Sequence, residues 1–173
     1  MLLVQGEAFD NLFREAEREA FHLEVRDDYY PPDYPPLVRF LAGEPEDYGW
    51  FQPWLDLVRE TTERGVAVNR ARVVTLPHND YTRYAKHVAR LNAEAGEDVR
   101  YLSRHLIAPD ELTTDDFWLF DDSVVAFTVF EPGENGRWLG GAVTTDPHIV
   151  EHTRTVKARV WPLAVPLSEY SEP

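Results

Sequence analysis

Val66-Ala67-Val68-Asn69-Arg70-Ala71-Arg72-Val73-Val74-Thr75 decides the fold of this chain. Its valines give it high β propensity, and the sequence that follows supplies a helix and then a second strand. Asn79 or Asp80 caps that helix, which predicts helix through about Ala93 with Tyr81, Tyr84, Ala85, Val88 and Leu91 on one stripe. Gly96 stops it, and Asp98 to Arg104 (DVRYLSR) reads as the next strand. A strand, a helix and a second strand in succession predict a right-handed crossover and a parallel pair.

Upstream, a helix is expected from Asp10 or Asn11 to about Ala20, followed by a strand with Phe21, Leu23 and Val25 on one face and His22, Glu24 and Arg26 on the other. Residues 27–36 are rich in Tyr and Pro and read as an extended loop, because proline removes a donor and restricts the residue before it. A helical turn over Leu37–Leu41 and a helix from about Pro53 to Arg64, ended by Gly65, complete this half. Downstream, FWLF (117–120), VVAFTVF (124–130) and RWLGGAVT (137–144) predict an antiparallel meander, with turns at 121–123 and 131–136. Asp146 and Pro147 start a last helix to about Val160, and residues 162–173 read as an irregular tail. The expected architecture is α/β or α+β: one domain over residues 1–173, with a mixed sheet, parallel crossover strands in the middle, a C-terminal antiparallel meander and flanking helices.

The chain has 173 residues and no cysteine, which excludes disulfides, thiol nucleophiles and Cys-ligated metals. Its start, Met1-Leu2-Leu3-Val4, is too short for a signal-peptide core, and no apolar run approaches the roughly 20 residues of a membrane helix. The expectation is a cytoplasmic protein without a membrane partner. The net charge of −14 opposes direct binding to nucleic acid. That charge is uneven: residues 70–104 hold seven basic and four acidic residues inside an otherwise acidic chain.

This basic centre supplies the candidate site. Arg70 and Arg72 lie two apart on one strand, Arg100 and Arg104 repeat a same-face spacing on the next, and Arg83 lies on the helix between. If the strands are parallel, the loop Leu76–Asp80 with His78 sits at the carboxyl end of the first strand, beside a helix amino end, where open α/β sheets hold ligands. Arg70, Arg72, His78, Arg83, Arg100 and Arg104 are therefore the expected anion-binding set. The competing reading is that these arginines pair with neighbouring carboxylates.

Other motifs carry less. His148-Ile149-Val150-Glu151-His152 matches the H-x-x-E-H pattern of zinc peptidases, but only 21 residues follow it to supply a third ligand, so exposed helix histidines explain it better. Asp115-Asp116 and Asp121-Asp122 flank FWLF, where turn chemistry accounts for them without a metal. No dinucleotide, P-loop or serine-hydrolase glycine motif occurs, so no cofactor is expected. The Tyr/Pro loop with Trp50, Phe51 and Trp54 offers either an aromatic surface for a partner protein or ordinary packing.

Taken together, WLDLVR (54–59), RGVAVNRARVV (64–74), AGEDVRYL (95–102) and DFWLFDD (116–122) resemble an actinobacterial family catalogued as domain of unknown function 6879. The resemblance covers nearly the whole chain. It implies proteins often encoded beside helix-turn-helix regulators, and it brings no established activity, substrate or catalytic residue. The order of elements is also similar to half of a phospholipase D-type unit, although the H-x-K signature of those enzymes does not occur. The expected function is a non-catalytic regulatory or sensor protein that binds a small anionic ligand or a partner, such as a helix-turn-helix regulator. The alternative is a phosphodiesterase- or transferase-like enzyme that uses the arginine-lined site, with His78 or His105 as acid–base.

Overall fold

A computed structural model describes residues 1–132 and 137–172. In chain order the elements are β1 (Leu2–Val4), α1 (Glu7–Glu15), β2 (Glu19–Glu24), α2 (Pro35–Leu41), α3 (Gln52–Glu63), β3 (Ala67–Val74), α4 (Asp80–Glu94), β4 (Asp98–Ser103), β5 (Phe117–Phe120), β6 (Val124–Phe130), β7 (Trp138–Thr144), α5 (Pro147–Leu163) and β8 (Val165–Pro166). The strands form one open mixed sheet in the order β1-β7-β6-β5-β2-β3-β4-β8. β2, β3 and β4 are parallel neighbours, as the crossovers require, and β5, β6 and β7 are the antiparallel meander.

The fold is α+β, with helices on both faces of the sheet. On one face Phe21, Leu23, Ala71, Val73, Leu102, Phe117, Leu119 and Val125 pack under Val150, Val156 and Val160 of α5. On the other, Phe13 of α1 and Leu57 of α3 meet Ala20, Val68, Trp118 and Phe120. Local chemistry sets the helix starts. The Asn79 side chain accepts the Thr82 N–H at 2.7 Å to cap α4, and Asp146 accepts the N–H groups of His148 and Ile149 to cap α5.

Several expectations shift. The first helix ends at Glu15 rather than Ala20, because β2 starts at Glu19 to pair with both β3 and β5. α2 begins at Pro35, inside the expected loop, since proline suits a first helical turn. The tail expected to be irregular is helical to Leu163, and its next residues pair with β4 as β8. The apolar start of the chain forms the opposite edge strand, β1 on β7. Residues 133–136 of the expected turn, and Pro173 of the tail, lie outside the described residues. Among the described residues no helix is long and apolar enough to cross a membrane.

Candidate functional site

Between the α1/α3/α4 face of the sheet and the Tyr/Pro loop lies a chamber of about 870 Å³. Its floor comes from strand register. His22 of β2 is level with Arg70 of β3, Glu24 is level with Arg72, and His22 is also level with Trp118 of β5. Side chains alternate across a sheet, so these groups share one face. Asp116, two residues before Trp118, joins them. Its Oδ1 accepts the Val25 N–H at 2.7 Å, and it is 2% exposed. The walls are aromatic and come from Tyr29 and Tyr30, from Trp50 and Trp54, and from Tyr81 of α4.

The floor is an alternating charge network. Glu24 accepts from Arg70 and lies 2.9 Å from Arg72 Nε, while Arg70 Nε donates to Glu97 at 2.6 Å. Burial opposes the charge on Glu24, but Arg72 and Arg70 outweigh it and hold its carboxyl at about 2. His22 stacks on Trp118 with centroids 4.2 Å apart, and burial followed by repulsion from Arg70 drives its pKa far down, so it is neutral. Asp116 goes the other way. Burial, reinforced by Glu24, pushes its carboxyl up to about 6.

Buried polar groups are nearly always hydrogen-bonded, so those without partners mark where something else belongs. Both ring nitrogens of His22, Glu24 Oε2, Asp116 Oδ2 and Thr128 Oγ1 have no hydrogen-bond partner among the described residues, and all five atoms belong to residues lining the chamber. Arg72 Nε faces Glu24 as an ion pair without hydrogen-bond alignment.

The six residues expected to bind an anion divide. Arg70 and Arg72 line the chamber together. Arg100 does not join them: it is level with Ala71, one residue out of step with Arg70, and so projects from the opposite face, over the Trp161 ring at 4.0 Å. Arg104 falls just past β4. Its guanidinium donates to the carbonyls of Val25 at 2.6 Å and Val73 at 3.3 Å, and so ties the ends of β2 and β3. Arg83 is exposed and pairs with Asp80. The loop at the carboxyl end of β3 is covered by the C-terminal segment, where His78 Nε2 meets the Tyr170 hydroxyl at 2.7 Å and the His78 N–H donates to Glu172. The cavity thus lies over the sheet face instead of at that loop.

His22 and Glu24 are absent from the expected set, and Asp116, expected to serve turn chemistry, is instead buried in the chamber lining. The usable signal was polar alternation at 22 and 24 on a strand flanked by apolar residues, which leaves charged groups facing inward when helices cover both sides of the sheet. The remaining motifs take ordinary roles. His148, Glu151 and His152 are exposed on α5. Asp121, in the left-handed region at φ 50°, accepts the N–H groups of Glu17, Arg18 and Glu19, and Asp122 pairs with Lys157 at 2.9 Å. No group of three or more His, Asp or Glu residues suited to a metal ion occurs among the described residues.

In structure the chain is similar to Nuc of Salmonella typhimurium, a phospholipase D family member, at 14% identity and a TM-score of 0.55, over 91% of this chain and 87% of that one. NucT from Helicobacter pylori is similar at 12% identity and a TM-score of 0.52, with the same coverage of 91% and 87%. Identities this low speak to fold alone. No curated protein matches the chain in sequence. The family described as "Domain of unknown function (DUF6879)" matches over residues 7–172, and the chain belongs to that family.

Proposed function

We propose that this protein is a non-catalytic sensor that holds a small molecule in the chamber over β2, β3 and β5 and relays its occupancy to a partner protein, a helix-turn-helix regulator. One observation carries the reading: a cavity of about 870 Å³, within the range of small-molecule sites, has buried polar atoms on its floor that no described residue satisfies. The aromatic walls add apolar contact area for a planar ligand. The net charge of −14 supports docking to a basic DNA-binding partner in competition with DNA.

The test is a thermal-shift screen of small metabolites followed by calorimetry on wild type and on Ala85→Phe, which fills the chamber from α4. At least one compound is expected to bind with one-to-one stoichiometry, and a hundredfold excess over Kd should stabilise the fold by about 2.7 kcal/mol. The folded variant should lose at least tenfold in affinity. Equal binding to both proteins, or no binder at all, would overturn the reading.

An enzymatic reading has one observation in its favour. A carboxyl raised to about 6 and a neutral histidine line the same chamber, as an acid–base pair would. It is distinguished by turnover of the bound compound in place of stoichiometric saturation. The arginines that a phosphodiesterase or transferase would need for its substrate are both paired with Glu24.

A further inference from the structure

The polarity of the chamber floor specifies what it takes. Two carboxylates, Glu24 and Asp116, line it with two guanidinium groups, Arg70 and Arg72, and a neutral His22, while Glu97, the second partner of Arg70, is buried outside the lining. Arg70 bridges Glu24 and Glu97, and Arg72 pairs with Glu24, so an incoming anion competes with an internal carboxylate for both cations. Asp116 stands outside that pairing. One of its oxygens accepts a backbone N–H; the other makes no aligned hydrogen bond among the described residues, and the neighbouring donor is the neutral Tyr29 hydroxyl rather than a cation. A carboxylate oxygen only accepts hydrogen bonds, and unlike Glu24 Oε2, which has Arg72 Nε at 2.9 Å, Asp116 Oδ2 has no cation against it, so the group it lacks is a donor. The chamber that holds this acceptor is lined by aromatic rings: Trp118, stacked under His22, forms part of the floor, and Tyr29, Tyr81 and Trp54 line the walls. Aromatic faces attract cations as well as flat rings.

Resting on the reading of the chamber as a ligand site, we infer that its occupant is an aromatic or heteroaromatic amine, whose N–H or ammonium group donates to Asp116 while its ring packs among the aromatic walls. The pairing completes the orphaned carboxylate and gives it the cation that Arg70 and Arg72, both paired with Glu24, do not supply. The groups that face Asp116 are Glu24 from β2, Arg26 and Tyr29 from the segment after it, and the Val25 N–H. Of these only Arg26 is cationic, and its guanidinium lies 4.6 Å from the centre of the Phe130 ring. Ligand binding is therefore expected to weaken as Asp116 becomes protonated below about pH 6.

Three probes of one shape and different charge separate the possibilities: tryptamine, 3-methylindole and indole-3-propionate, titrated by calorimetry into the full chain and into Asp116→Asn at pH 7.5. Tryptamine is expected to bind wild type at least tenfold more tightly than indole-3-propionate, and to lose about tenfold in Asp116→Asn, whose melting curve establishes that it is folded. Equal binding of all three, insensitive to Asp116→Asn, would overturn the amine assignment and leave the chamber as an aromatic ligand site. Tighter binding of indole-3-propionate would also overturn it, and would favour the arginines as the polar anchor. If none of the three binds at millimolar concentration the amine assignment falls, while the ligand-site reading falls only if the metabolite screen also yields no binder.

Discussion

At the scale of single residues, Asp116 carries the most distinctive chemistry. Its carboxyl is raised from 3.8 to about 6 by burial and by the neighbouring Glu24. Between those values the native state binds more protons at this site than the unfolded chain does, so its contribution to stability falls as pH rises through roughly 4 to 6. Asp116→Asn removes that liability and keeps an oxygen for the Val25 N–H. At about 1.4 kcal/mol per pKa unit, the variant should be more stable than wild type by about 3 kcal/mol at pH 8, with the difference vanishing near pH 4. Urea denaturation across that range checks this, and a variant less stable than wild type at pH 8 would contradict it. Glu24 has the opposite sign. Held at about 2 by Arg72 and Arg70 against its burial, it contributes stability that is lost only below its ordinary carboxylate range. Two carboxylates on one sheet face thus respond to pH in opposite directions, set by whether an arginine reaches them.

At the scale of elements, register decides which residues form the site. Gly140 of β7 holds φ at 138°, a conformation that L side chains rarely adopt, and a methyl there would run into the Val4 carbonyl oxygen of the adjoining edge strand. Gly140→Ala should therefore strip β1 from the sheet, cost about 1–3 kcal/mol, and speed hydrogen exchange at Leu2–Val4, with an unchanged melting temperature arguing the reverse. The parallel strands, the connecting helix and the meander were legible in the sequence, because alternation, caps and turn residues agree locally from Val66 to Thr144. The two edge strands were not. Leu2–Val4 and Val165–Pro166 are only three and two residues long, and their pairing is a tertiary event without local signal. The candidate site was half legible for the same reason. Arg70 and Arg72 share a face by their own spacing, whereas the pairing of Arg100 with Ala71 in place of Arg70 is a matter of inter-strand register. His78 and Arg104 were placed near the right strand ends, yet a C-terminal segment and two backbone carbonyls engage them.

At the scale of the whole molecule, an acidic chain keeps its arginines largely for internal use. Arg70, Arg72, Arg100 and Arg104 all lie within 4.0 Å of a carboxylate, so the positive balance of residues 70–104 does not amount to an open basic surface. What the fold offers instead is an aromatic-walled chamber with an acceptor-rich floor, built where β2, β3 and β5 meet under α3 and α4. The most direct measurement is a crystal structure of the full chain grown with tryptamine. The ammonium nitrogen is predicted within about 2.7–3.2 Å of Asp116, with the indole ring enclosed by Trp118, Tyr29 and Tyr81. An indole bound elsewhere on the molecule, or a chamber closed by its own side chains, would contradict the account.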